Sequence, residues 1–294
     1  MGSVRSGFVA LAGRPNAGKS TLVNRIVGGK VAIVSDKPQT TRRALRGIVT
    51  SEESQLVLVD LPGVQRPLDG LTARMQRSVE RELGASDAAL LVLNGHQQVG
   101  PGDRYTARAI AKASIPAAIC VNKLDLLSRR RTLDALEAAA ELDLDGEIFP
   151  VSARTGEGVP ELMAALVSLM PEAPFAYPVE QRSDLPERVR LAELVREQVL
   201  ARTRDELPHA VEVEVTELER RDDLVELHAL LWAESSSQKA ILIGAGGRMV
   251  KAIGTAARRE LETDLGTPVF LDLKVRVRKG WRDDDGLLER LGVD

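Results

Sequence analysis

The stretch FVALAGRPNAGKST, Phe8 to Thr21, decides the fold. An apolar run of strand character ends at Gly13, the residues Gly13 to Ser20 fit the pattern GxxxxGK[ST], and helical periodicity starts near Lys19. Strand, glycine-bounded loop and helix N-terminus in that order make a cradle for phosphate. Backbone N–H groups and the positive helix end point at the anion, Lys19 adds a point charge toward the β and γ phosphates, and the Ser20 hydroxyl can ligate Mg²⁺. Gly13, Arg14, Pro15, Asn16, Ala17, Gly18, Lys19, Ser20 and Thr21 are therefore predicted to bind a nucleotide.

Outward from this loop, short apolar runs alternate with helical periodicities as far as Met170: LVNRIV, QLVLVD, AALLVLN, PAAICVN, EIFPVSA and PELMAALVSLM. The alternation predicts an α/β domain with a mostly parallel sheet and helices on both faces. Ligands of such sheets collect at the carboxyl ends of the strands, and three further motifs fall there. Asp60-Leu61-Pro62-Gly63 follows QLVLV; the aspartate can hold Mg²⁺ and the Gly63 N–H can reach a γ-phosphate. Asn122-Lys123-Leu124-Asp125 follows AAICV. The Asp125 carboxylate can accept from the N1–H and N2–H₂ edge of guanine, whereas adenine offers an acceptor at N1 and would leave the charge unpaired, so GTP is selected over ATP. Ser152-Ala153-Arg154 follows EIFPV, where the Ala153 N–H can meet guanine O6.

Between the phosphate loop and Asp60 lies DKPQTTRRALRG. Its polar run Pro38 to Arg43 reads as a switch segment, with Thr41, or in the alternative Thr40, closing on Mg²⁺ and the γ-phosphate. The metal set is thus Ser20, Thr41 and Asp60. Asn16 offers a side-chain carbonyl that suits a monovalent cation, potassium, beside the β and γ phosphates, or it serves turn geometry alone. The catalytic candidates are Lys19, Thr41, Gly63 and Asn16. Val64 stands where many GTPases carry a water-orienting glutamine, so slow intrinsic hydrolysis is expected.

Pro171, Pro174 and Pro178 break the pattern in MPEAPFAYP and read as a semi-rigid connector. The boundaries drawn are residues 1–172 for the nucleotide domain, 173–184 for the linker, 185–280 for a second domain and 281–294 for a tail. In the second domain, a helix through Leu191 and Val199, paired strands VEVEVTELE and LVELHALLW, a helix with Val250, Ile253, Ala257 and Leu261 on one face, and a strand VFLDLKVRV suggest a small antiparallel α+β module. Lys239 to Arg282 holds ten basic against four acidic residues in a chain of net charge −3, a local footprint for a phosphate backbone. Within it Gly244, Gly246 and Gly247 let backbone amides approach a sugar-phosphate chain at a helix N-terminus, Lys239, Arg248 and Lys251 extend the grip, and Arg276 and Arg278 lie on one side of the last strand.

A length of 294 residues fits about two domains. Apolar residues make up 44%, and no apolar run approaches the ~18 residues of a membrane-spanning helix. A single cysteine, Cys120, and a polar start from Met1 to Ser6 point to the cytoplasm and to no disulfide. Aromatics are only 3%, so nucleic acid contact is expected through backbone and charge. His96, His209 and His228 lack metal-ligand spacing, and Asp283 to Asp285 reads as a solvated turn.

GRPNAGKST, PQTTR, DLPG, NKLD and SAR together resemble the Era-type GTPases, and SQKAILIGAGGRMVKAIG resembles the GxxG segment of a type II KH domain. The resemblance extends to the tail KGWRDDDGLLERLG. It implies a P-loop GTPase domain followed by an α+β type II KH domain that binds the 3′ end of 16S rRNA in assembly of the 30S subunit. It also implies Mg²⁺ with potassium-assisted hydrolysis through Asn16, GTP and GDP as ligands, a monomer, and peripheral contact with the inner face of the cell membrane. Leu61 departs from the usual threonine, Ala17 from the usual valine, and Ala245 stands where the family often has lysine or another polar residue. Two rival readings stay open: a tRNA-modification GTPase, and a protein- or membrane-docking switch without RNA binding.

Overall fold

The computed structural model describes residues 4–64 and 67–293 and divides into two compact units. One comprises residues up to Leu68 and Thr72–Asp184; the other comprises Asp69–Leu71 and the chain from Leu185 onward. Gln65 and Arg66, shortly after Gly63, lie outside the described residues.

The first unit contains a six-stranded sheet: β1 (Arg5–Ala12), β2 (Leu45–Thr50), β3 (Ser54–Asp60), β4 (Ala88–Asn94), β5 (Ala117–Asn122) and β6 (Glu147–Pro150). The order is β2-β3-β1-β4-β5-β6, parallel except for the antiparallel β2–β3 pair. Its helices are α1 (Lys19–Val27), α2 (Gly70–Ala85), α3 (Pro101–Ala113), α4 (Arg129–Ala140) and α5 (Val159–Leu169). Side chains alternate along β1: Ala10 and Ala12 join a core with Val79 and Leu83 of α2, Ile110 of α3 and Ala139 of α4. Val9 and Leu11, of opposite parity, are equally buried on the face where α1 and α5 pack. A sheet buried on both sides explains why its strands read as continuous apolar runs. β2 and the three helices α2, α3 and α4 do not stand out among those runs, because charged residues interrupt them: α4, for instance, opens with Arg129, Arg130 and Arg131.

The second unit runs α6 (Glu187–Arg202), α7 (Leu207–Ala210), β7 (Val211–Arg220), β8 (Val225–Ala233), α8 (Ser236–Ile243), α9 (Arg248–Leu265), β9 (Val269–Val277) and α10 (Asp285–Arg290). The expected all-antiparallel module is corrected here. β7–β8 is an antiparallel hairpin, but β8 pairs with β9 in parallel. The physical reason is the crossover: α8 and α9 return the chain to the starting end of β8, and a strand launched from there must run alongside it. Leu191, Val195 and Val199 of α6 and Ile253, Ala257 and Leu261 of α9 close over one sheet face. The span Ser236–Leu265 taken whole has the length and hydropathy of a membrane-crossing helix. It is two helices instead, broken at the non-helical Gly246. The tail is built into this unit: Trp281 is fully buried with its indole N–H donating to Ala210 O at 3.1 Å, and Arg290 pairs with Glu214 at 3.3 Å.

The proline-rich connector is not free chain. Gln55 of β3, itself fully buried, accepts from the Ala176 and Tyr177 N–H groups at 2.8 and 3.0 Å. Its amide donates to Tyr177 O and Thr50 Oγ1, both at 2.9 Å. Further on, the Ile48 N–H donates to Arg182 O at 2.9 Å and Gly47 bridges Ser183, so the connector lines the open edge of β2. At its end, the Arg46 guanidinium donates to Asp184 and to Glu82 of α2, each at 2.8 Å. Gln55→Leu would remove all four bonds of this buried amide and leave two backbone donors without their acceptor, a cost of about 2 kcal/mol. We expect faster hydrogen exchange at Ala176 and Tyr177 and a lower urea midpoint, while a Gln55→Glu protein, which keeps the acceptor, should protect those two amides.

Candidate guanine-nucleotide site and glycine-turn surface

The phosphate loop is shaped by its backbone. Gly18 sits at φ +96° and caps α1, and a Cβ there would lie 2.3 Å from the Asn122 side-chain nitrogen, so only glycine fits. Lys19 Nζ folds back over the loop, donating to Gly13 O at 3.0 Å and Arg14 O at 3.3 Å. A cleft of about 450 Å³ opens above it, lined by Pro15, Asn16, Lys19, Ser20, Thr41 and Gly63 among others.

Three oxygen groups converge on one point of that cleft. Ser20 Oγ donates to Asp60 Oδ2 at 2.6 Å, and Thr41 Oγ1 lies 3.1 Å from Ser20 Oγ and 3.4 Å from Asp60 Oδ2. Thr40 is turned elsewhere, donating to Lys37 O at 2.6 Å. The structure therefore brings Thr41, not Thr40, to the metal candidates. Asp60 Oδ1 is buried without a hydrogen-bond partner among the described residues. Two hydroxyls and an under-satisfied carboxylate are a hard-oxygen set suited to Mg²⁺. Burial pushes the Asp60 carboxyl above its ordinary range, opposed by Lys19, Ser20 and Thr41; burial pulls Lys19 below its ordinary range, opposed by Asp60.

Asn16 adopts φ +62°, as its turn reading expected, and its amide donates to Asp36 O at 2.7 Å. That bond uses the amide nitrogen and not the carbonyl oxygen, which keeps the cation reading compatible with the turn. Arg14 does not enter the cleft lining; it pairs with the buried Asp103 of α3 at 2.9 Å and braces the loop from outside.

The base-reading residues are joined to the loop through Asn122. Its Nδ2 donates to Ala17 O at 2.9 Å and its Oδ1 accepts from the Ala153 N–H at 3.0 Å. One side chain thus fixes the spacing between phosphate loop and base pocket. Asp125 is held by Ser152 Oγ at 2.6 Å. Lys123, at φ +72°, lies on the cleft lining, and burial lowers its pKa against the opposing Asp125 charge. Leu61 is fully buried and Pro62 follows it at the end of β3.

Sequence reading missed three supports. Asn94, at the end of β4, lines the cleft and donates to Asn16 O at 3.4 Å. Asn24 of α1 accepts from Val31 and Ala32 at 2.9 and 2.8 Å, anchoring the chain between α1 and the switch segment. Arg25 donates to Ala153 O at 3.0 Å and to Arg154 O. Only Asn94 carried a signal, its place at the carboxyl end of an apolar run. Cys120 is fully buried and its thiol is pushed far up by burial, an inert packing group. No cluster of three His, Cys, Asp or Glu residues suits a metal among the described residues.

In the second unit, Gly244, Gly246 and Gly247 all have positive φ (+72°, +60° and +77°), making a turn that no run of L side chains would hold between α8 and α9. Arg248 and Lys251 are exposed, one turn apart at the start of α9, and Lys239 lies on α8; none has an acidic partner among the described residues. Arg248 Nε donates to Ala245 O at 3.2 Å. Arg276 and Arg278 are not part of this surface. Inward-facing Val275 fixes the phase of β9, so residues 276 and 278 stand on the face turned away from the helices, and Arg278 is engaged with Asp284 and stacked 5.9 Å over Trp232.

A family model described as a 50S ribosome-binding GTPase matches residues 8–123, and a KH domain model matches residues 206–282. GTPase Era of Mycobacterium tuberculosis (strain H37Rv) is 45% identical over 99% of this chain and 100% of its own length, and that of Mycolicibacterium smegmatis is 45% identical with the same coverage. The crystal structure of a point variant of Aquifex aeolicus Era bound to GDP·AlF4⁻ superposes with a TM-score of 0.93 at 31% identity, covering 99% of both chains. A structure of Era with MgGDPNP and nucleotides 1506–1542 of 16S ribosomal RNA gives 0.94 at 31% identity and equal coverage. Phosphate loop, base pocket and glycine-broken turn therefore belong to one architecture from end to end, and the chain belongs to the Era family of GTPases.

Proposed function

We propose that this chain binds GTP, hydrolyses it slowly, and binds the 3′ end of 16S rRNA during assembly of the 30S subunit. One observation carries the reading: a guanine-specific nucleotide site and an unpaired basic turn on a KH unit occur in a single chain that matches Era proteins over 99% of its length. Ser20, Thr41 and Asp60 would hold Mg²⁺, which supplies charge neutralisation across the β and γ phosphates. Lys19 stabilises the charge developing on the leaving phosphate oxygen, and the Gly63 N–H reads the γ-phosphate. Asn16 Oδ1 is the group for potassium. Val64 is buried in the apolar core and presents no hydrogen-bonding group to water, so intrinsic turnover is slow.

Release of Thr41 after hydrolysis would act first on β2, which starts four residues later and whose Arg46 grips the end of the connector. That path passes the nucleotide state to the chain leading into the KH unit. RNA binding is assigned to Lys239, the 244–247 turn, Arg248 and Lys251. The compartment that fits is the cytoplasm, with the peripheral membrane contact and monomeric state that the family resemblance implies.

Calorimetry tests the nucleotide half: GDP should bind well and ADP not measurably, and Asp125→Asn should lose GDP affinity and gain affinity for xanthosine diphosphate, whose base offers an acceptor at C2. Equal binding of GDP and ADP would reject the guanine site. Fluorescence anisotropy with an oligonucleotide of the 16S 3′ end tests the RNA half. Combined Arg248→Glu and Lys251→Glu should weaken binding at least about tenfold and reduce the slope of log K against log salt by about 1.4, the share of two phosphate contacts on a single strand. Unchanged affinity would reject the RNA assignment.

A further inference from the structure

The two oxygens of Asp125 are both engaged from the same short segment. Ser152 Oγ takes Oδ1 at 2.6 Å, and the Arg154 guanidinium takes Oδ2 at 2.9 Å. The carboxylate is 10% exposed and the arginine side chain 72% exposed. The backbone beneath Arg154 is fixed at several points: the Ala153 N–H on Asn122, Arg25 on Ala153 O and Arg154 O, the Ser152 N–H on Glu157 O at 2.9 Å and the Gly156 N–H on Ser152 O at 2.8 Å. A backbone pinned at several points therefore delivers an exposed guanidinium to the group that reads the purine.

The chemistry of the two ligands of that group coincides. The recognised edge of guanine is a planar N–C–N unit with N–H donors at N1 and on the C2 amine. A guanidinium is the same planar unit carrying a full positive charge. We propose that Arg154 is a specificity-determining residue that competes with the guanine C2 amine for Asp125 Oδ2. Hypoxanthine lacks the C2 amine and asks only one oxygen of Asp125, so it leaves the Arg154 pair in place. Arg154 thereby lowers the preference for guanine over hypoxanthine nucleotides, and by recapturing the carboxylate it speeds guanine nucleotide release.

This inference rests on the guanine reading of the site, and the experiment separates the two. Dissociation rates and affinities of fluorescent GDP and IDP are measured for the wild type, Arg154→Met and Arg154→Lys. An exposed ion pair contributes up to about 1 kcal/mol, a factor of about five. Arg154→Met should bind GDP two- to fivefold more tightly, mostly through slower release, with IDP affinity unchanged. Arg154→Lys keeps the charge without the flat fork and should fall between. A loss of GDP and IDP affinity together, or no change in either, overturns the proposal. A wild type that binds ADP as well as GDP instead defeats the guanine reading, which the variants by themselves do not touch.

Discussion

Two opposite charges under the phosphate cleft, Lys19 and Asp60, set the terms for everything around them. Both are almost fully buried, and burial disfavours the ionised form of each. Each is the other's opposing charge, so the pair persists because the chain places both at once: Lys19 at the first turn of α1, Asp60 at the last residue of β3. Since β1 pairs in parallel with β3, Leu11 stands opposite Asp60, and the loop that follows β1 must rise beside the carboxylate. Charge prepared in this way does not have to be assembled when a polyphosphate arrives, which is the condition for electrostatic stabilisation to act at little reorganisation cost.

From that pair, two networks leave in different directions. One passes through Asn122, whose single amide bonds the phosphate loop and the Ala153 N–H, so base and phosphate recognition share one rigid spacer. The other passes through Thr41 into β2 and reaches Arg46. Arg46 bonds α2 through Glu82 and the connector through Asp184. A change in the switch segment thus meets, within a few residues, the only hydrogen-bonding edge β2 has to offer beyond β3, and that edge is occupied by the connector. The second network can respond to phosphate while the first stays rigid, because they share no residue beyond the loop itself.

Legibility in the sequence followed the range of the interactions. The phosphate loop is nine consecutive residues between an apolar run and a helical period, and Asp60, Asn122 and Ser152 each close an apolar run, so local pattern located them. The sequence placed Thr41 first and kept Thr40 as the alternative, because adjacent residues with the same hydroxyl are separated only by what the fold sets opposite them, here Ser20 and Asp60 against Lys37 O. The Gln55 and Arg46 fastenings span 121 to 138 residues and leave no local trace. Parallel pairing of β8 and β9 was obscured because the helix α8 was not read, and one helix less suggests a different return path. Arg276 and Arg278 show a different limit. Their phase opposite Val275 is visible in the alternation of the strand, but which of its faces the helices cover is set by packing distant in the chain, and that places the two arginines away from the glycine turn.

The departures from the family pattern fall where backbone, not side chain, carries the function. Ala245 lies in a turn whose three neighbouring glycines hold left-handed angles, and its carbonyl already orients Arg248. The side chain at that position carries no charge, so under the proposed RNA role the grip on a sugar-phosphate chain would fall to the amides of the turn, the N-terminus of α9 and the flanking Lys239, Arg248 and Lys251. Leu61 and Ala17 are likewise buried apolar groups next to backbone that performs the recognition: Ala17 lends its carbonyl to Asn122, and the Leu61 N–H bonds Leu11 O at 3.4 Å. A site built on main-chain geometry tolerates such changes as long as the volumes still pack, whereas Asp60, Asn122 and Asp125 act through side-chain atoms whose partners would be left buried and unmatched by any substitute.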